Sequence, residues 1–109
     1  MSGYTGTSYE EAAASLGKRS SLVIRGTATT LERRSDDIIA VRYHSTDVVT
    51  YHANGDIVLD SGGWWTSTTK KRINRYLPLS MYVTQRDFEW FVFAAGVEVP
   101  FVDGFTVKA

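Results

Sequence analysis

The chain has no cysteine and only two prolines among its 109 residues. The first absence removes disulfide bridges, thiolate metal sites and cysteine nucleophiles together, so packing alone has to hold the fold. No apolar run approaches the ~20 residues that cross a bilayer. The polar, acidic N-terminus MSGYTGTSYEE lacks the basic and apolar blocks of a secretory or transit signal. A protein made and kept in a cytosol, or packaged from one, is expected. Net charge is missing too. Twelve basic side chains balance 12 acidic ones, so no overall field draws the protein toward nucleic acid or membrane. Internal repeats and low-complexity tracts are also absent.

What is there suffices for one domain. A hydrophobic content of 43% with 13% aromatics supplies a core, and a chain of this length buries roughly 65% of its unfolded surface. Charge is unevenly placed. Between Asp60 and Asp87 every charged side chain is basic: Lys70, Lys71, Arg72, Arg75 and Arg86. Beyond Asp87, Glu89, Glu98 and Asp103 face a single Lys108. Two solvated faces or a local anion-attracting patch would both account for this.

Residues 1–7, rich in Gly, Ser and Thr, read as a loose arm. Ser8 and Glu11 form a capping box, Ala12 to Ala14 and Leu16 continue a helix over 8–17, and Gly17 stops it. Its apolar face is narrow, which predicts loose packing. From Ser21 the period becomes two, giving a strand meander over 21–60 that breaks near Gly26, with Asn54-Gly55 as a hairpin turn. With two-residue loops at Ser45-Thr46 and Asn54-Gly55, Tyr43 falls opposite Val48, Val41 opposite Thr50, and Ile39 opposite His52. Ile39, Val41, Tyr43, Val48, Ile57 and Leu59 then share the core face, while Arg42, Val49, Tyr51, Val58 and Asp60 face outward. A basic helix over 67–77 carries the stripe Thr69, Ile73, Tyr76 and Leu77 and ends before Pro78. Strands follow over 79–108, the first pair turning at Arg86-Asp87. The sum is an α+β fold: a twisted, mainly antiparallel sheet, tending toward a small barrel, with two short helices.

One stretch concentrates chemistry: LDSGGWWTSTTKKRIN, Leu59 to Asn74. Gly62 and Gly63 permit a sharp exit from a strand. Ser67 and Thr68 are natural N-caps. Helix-terminal amides, hydroxyls and ammonium groups together make a phosphate or sulfate site. The glycines are adjacent and none precedes Lys70, so this is no P-loop. Gly62, Gly63, Trp64, Thr68, Thr69, Lys70 and Arg72 are the expected ligand-binding residues. Adjacent tryptophans point opposite ways, so one of Trp64 and Trp65 should plug the core while the other stands exposed. A purely structural turn is the competing reading.

Catalytic sets are weaker. His44 and His52 are the only imidazoles; counting across the turns puts His52 on the core face and His44 at a turn, so no metal pair forms. Ser61, His52 and Asp60 lack a G-x-S-x-G elbow, and Asp36-Asp37 lie in a turn. No enzyme, metal or cofactor is indicated. Lys70, Lys71, Arg72, Arg75 and Arg86 interleaved with Trp64, Trp65, Tyr76 and Tyr82 would suit a nucleic-acid backbone with base stacking, but no recognised motif accompanies them.

The stretch IIAVRYHSTDVVTYHANGDIVLDSGGWWTSTTKKRIN resembles a family of small uncharacterised proteins of tailed bacteriophages and prophage-bearing bacteria. The likeness lies in Thr30-Leu31-Glu32-Arg33-Arg34, Ala40, Val41 and His44, Thr46-Asp47-Val48-Val49 and Asp60-Ser61-Gly62-Gly63-Trp64. It continues through Thr66, Thr68-Thr69-Lys70 and Arg72-Ile73-Asn74, and covers the middle half of the chain. The resemblance implies a phage origin and carries no activity. The expected role is an accessory binding protein of the host cytoplasm that blocks or sequesters a host component, a defence protein or its phosphate-bearing nucleotide messenger, through the glycine, hydroxyl and basic surface at the start of the second helix. A minor virion or assembly component, self-associating through Phe88 to Phe93, is the alternative. Nucleic-acid binding comes third.

Overall fold

The computed structural model describes Tyr4, residues 6–24 and residues 28–109. Two helices and nine strands follow one another in this order: α1 (Tyr9–Leu16), β1 (Ser21–Ile24), β2 (Thr29–Ser35), β3 (Ile38–Tyr43), β4 (Thr46–His52), β5 (Ile57–Leu59), α2 (Ser67–Arg75), β6 (Tyr82–Arg86), β7 (Glu89–Ala94), β8 (Val97–Pro100) and β9 (Phe105–Val107). All strand pairings are antiparallel, in a six-stranded sheet of order β1-β2-β3-β4-β5-β9 and a three-stranded sheet β6-β7-β8. The expected α+β class holds. The larger sheet stays open, with β1 and β9 at its edges, so the tendency toward a barrel is not realised. The break expected near Gly26 lies outside the described residues.

The first helix starts on Ser8, whose hydroxyl accepts the Glu11 N–H. The Glu11 carboxylate reaches one residue further back than a capping box requires and takes the Thr7 N–H at 2.8 Å. Gly17 ends the helix, and the Arg19 guanidinium caps the Ser15 and Leu16 carbonyls. Ala12 and Leu16 are wholly buried, so the narrow face packs tightly after all. The segment expected to be loose is anchored at Tyr4. Its ring stacks on Tyr76 at 5.8 Å, and its hydroxyl donates to Tyr51 at 3.4 Å. Tyr51 donates to the Tyr76 carbonyl at 2.6 Å. Burial raises both phenols, Tyr4 to about 12, so they stay protonated donors.

The β3–β4 register differs from the expected one by a residue. The turn is His44-Ser45, since Tyr43 pairs Thr46. A bulge then slips Arg42–Asp47 to Val41–Val49, leaving Val48 extra. One residue of slip flips a strand's faces. Val49 and Tyr51 therefore point inward, opposite Val41 and Ile39, while His52 pairs half-buried Ile38 and leaves the core. Tyr43 is only partly buried, and Val48, carried by the bulge, is buried as well. The β4–β5 loop holds three residues, 53–55, because His52 donates to the Asp56 carbonyl. Leu31, Val41, Val49 and Leu59 thus align across the sheet, and α1 and α2 contribute to the same core cluster.

The smaller sheet adds Val83, Trp90 and Val92 to that cluster. It hangs on α2 through Asn74, whose side chain accepts the Val83 N–H at 2.7 Å and donates to the Val83 carbonyl at 2.9 Å. Its hairpins turn at Asp87-Phe88, one residue beyond the expected place, and at Ala95-Gly96. All four residues have positive φ, the signature of type I′ turns. Left-handed backbone costs a non-glycine residue roughly 1–2 kcal/mol, and Phe88 sits there at φ 68° while 95% exposed.

Candidate functional site

The strand β5 ends at Leu59, and the chain turns sharply over the end of the β3–β4 hairpin before α2 begins. Asp60 accepts the Gly62 N–H at 2.7 Å, and the Ser61 hydroxyl oxygen accepts the Gly63 N–H at 3.1 Å. The Ser61 N–H is held by Asp103 at 2.8 Å. Gly62 has φ 65° and lies against Thr46, so close that a Cβ would overlap the threonine hydroxyl. A glycine is needed there twice over, for its backbone angle and for the approach.

This crossing leaves a hollow of about 440 Å³ between the hairpin tip and the loop. Tyr43, His44, Ser45, Thr46 and Val48 form one wall; Ser61, Trp64, Thr66 and Thr69 form the other. The volume is in the range of small-molecule sites. Trp64 is 63% exposed and offers an indole face, while most of the remaining lining carries hydroxyls. The first helical turn supplies dipole. Thr66, not Ser67 or Thr68, is the N-cap: its hydroxyl accepts the Thr69 N–H at 3.2 Å and donates to the Thr69 hydroxyl at 3.1 Å. Among the described residues no acceptor is bonded to the Ser67 or Thr68 amide. Behind the Tyr43 wall the Arg72 guanidinium lies 5.0 Å from the ring centroid, and its buried Nε has no hydrogen-bond partner. A partly buried cation without a carboxylate favours a nearby anion.

Residues 9–108 match the Kyanoviridae Gp96 protein family. The chain belongs to that family. No curated protein and no solved structure matches it. The match runs from the first residue of α1 to beyond β9, well past the middle half that carries the phage resemblance, so it takes in both sheets. Family membership makes this a phage protein. Among the described residues no helix is long and apolar enough to cross a membrane.

Within this family member the expected site residues separate. Trp64 and Thr69 line the hollow. Gly62 and Gly63 shape it, but their amides are already bonded and offer a ligand no donor. Thr68 is exposed on the first turn. Arg72 acts from behind Tyr43. Lys70 turns away, bonding Gln85 at 2.9 Å and lying 5.8 Å from the Trp90 ring centroid. Neither tryptophan plugs the core: Trp65 is 48% exposed and rests edge-on against Trp90 and Phe101. Tyr43, His44, Ser45, Thr46, Val48, Ser61 and Thr66 line it without having been expected there. The hairpin-tip residues among them lie more than ten positions before Ser61, and only the crossing of the loop over the hairpin brings them to it.

Proposed function

We propose that this phage protein is an accessory binding protein that sequesters a host small molecule bearing a planar ring and a phosphate, such as a nucleotide messenger. The hollow itself carries the proposal: it is of ligand size and lies between an exposed indole and a helix N-terminus. The ring would stack on Trp64. The phosphate would lie against the first turn of α2, where Thr66 and Thr69 line the hollow, in the field of Arg72, and hydroxyls from Ser45, Ser61 and Thr69 would meet sugar or phosphate oxygens. The protein would work in the host cytoplasm by holding the molecule, not by transforming it.

Isothermal titration against cyclic and linear nucleotides tests this. Trp64→Ala should weaken binding by about tenfold or more, the loss of one stacked base. Gly62→Ala should do the same by pushing the loop off Thr46. Arg72→Gln should flatten the salt dependence. Heat absent from every nucleotide titration discards the reading.

A virion or assembly role is the second reading, favoured by the bare Phe88 at a hairpin tip. Mass spectrometry of purified particles separates it, since a virion component would appear in fixed stoichiometry. Nucleic-acid binding loses support from two positions: Tyr76 is wholly buried, and Arg86 is paired with Glu98.

A further inference from the structure

The loop that carries Trp64 is fixed through one residue. Ser61 is 1% exposed and lines the hollow. Its carbonyl accepts the Trp64 N–H at 3.0 Å and its hydroxyl oxygen accepts the Gly63 N–H at 3.1 Å, so Gly63 and Trp64 both hang on it. Trp64 does little to fix itself, being 63% exposed. The Ser61 N–H runs out of the loop, to the Asp103 carboxylate at 2.8 Å and 42 positions along the chain. Among the described residues no other side chain from outside residues 60–69 hydrogen-bonds residues 61–66.

Asp103 is itself held in place. Phe101 is 6% exposed, and its N–H donates to the Trp90 carbonyl at 3.0 Å. The chain then turns: the Phe105 N–H donates to the Val102 carbonyl at 3.0 Å, with Gly104 at φ 82°, the left-handed position a type II turn reserves for glycine. The Gly104 N–H reaches the Leu59 carbonyl at 2.9 Å. Residues 103 and 104 therefore grip the chain on both sides of Asp60. The Gly104 bond extends the pairing of β5 with β9, whereas Ser61 lies past the end of β5 and has no strand partner. A carboxylate supplies what the ladder no longer can, in a charge-assisted bond of the stronger kind.

We infer, resting on the nucleotide reading of the hollow, that Asp103 is its positioning residue: the carboxylate, acting through Ser61, holds Trp64 where a ring can stack on it. Asp103 touches no ligand in this arrangement. A loop free to take several placements binds only through its competent fraction, and apparent affinity falls in proportion. The link between the two sheets thus sets the strength of a site on the larger one.

Nuclear magnetic resonance on the full chain reads the latch without a ligand, and titration with cyclic and linear nucleotides reads its effect. Asp103→Ala should lose the slow exchange of the Ser61 amide and shift the Trp64 indole N–H resonance, while amides of β3 and β4 stay protected. Nucleotide affinity should fall by about tenfold. Asp103→Asn keeps a side-chain oxygen in the accepting position and should restore all three readouts, which an effect of charge alone would not. An Asp103→Ala chain with Ser61 still protected and Trp64 unmoved overturns the latch, as does an Asp103→Asn chain that behaves like Asp103→Ala. Affinity kept at wild-type strength while Ser61 loses protection overturns the positioning role. A wild-type chain that binds no nucleotide overturns the nucleotide reading and that role together, and the two resonance readouts then decide the latch by themselves.

Discussion

The two sheets are fastened differently. The six-stranded sheet is tied at both ends of the chain: Tyr4 reaches Tyr51 and Tyr76, and β9 closes on β5 while Asp56 accepts the Ala109 N–H at 2.8 Å. The three-stranded sheet is held to the rest by packing on the shared core, by the α2 side chains Asn74, bonded to the Val83 backbone, and Lys70, bonded to Gln85, and by the linker through Asp103 and Gly104. Each sheet also carries a hairpin tip with a left-handed residue that is not glycine. His44 at φ 56° is exposed at its tip and lines the hollow beside the 60–69 loop, whereas Phe88 at φ 68° is 95% exposed. The same backbone geometry is crossed by another segment of the chain in one sheet and left uncovered in the other.

Three experiments sharpen this contrast. The largest effect belongs to the larger sheet's core. Leu59 is fully buried between Val49 and Phe105, and Leu59→Ala should remove about 2–5 kcal/mol, read as a lower urea midpoint with unchanged slope. An unmoved midpoint would deny that sheet its role as the main support. Next comes the link. Asn74→Ala strips both partners from the Val83 backbone and should cost about 1–3 kcal/mol, with amide exchange accelerated in β6 and β7 while β3 and β4 stay protected. Uniform acceleration across both sheets would show that Asn74 is no separate fastening.

The smallest effect is at the C-terminal tie. The Asp56 carboxyl is held below its usual value, first by the Ala109 N–H and also by Lys108. A carboxylate with a lowered folded-state pKa adds stability that is fully present above the unfolded pKa and lost as pH falls through the folded one. Amide resonances of Lys108 and Ala109 should therefore shift together on acidification through and below the ordinary carboxylate range. Asp56→Asn should abolish the shift; its survival in that variant would assign it elsewhere.

Much of this was legible in the residues. Ser8 and Gly17 bounded α1, the stripe of Thr69, Ile73, Tyr76 and Leu77 located the buried side of α2, and alternation from Ser21 onward gave the strands. The β4 faces were not legible. A turn one residue early and a bulge at Val48 exchange Val49 and Tyr51 for Thr50 and His52, and hydrophobicity does not choose between runs such as VVTY shifted by one. Of the residues lining the hollow only Trp64 and Thr69 were among those read from the sequence, because these lie in one continuous segment.

Sequence by itself determined the fold class, the ends of α1 and the loop that bends at Gly62, since each rests on short-range sterics, hydrogen bonding and periodicity within a few residues. Tertiary structure alone decided that the sheet stays open, that His44 faces Trp64 across a hollow, that Lys70 spends its charge on Gln85 and Trp90, and that Phe88 is left uncovered. Those outcomes depend on which distant segments meet, and the energy of that meeting belongs to pairs of residues far apart in the chain.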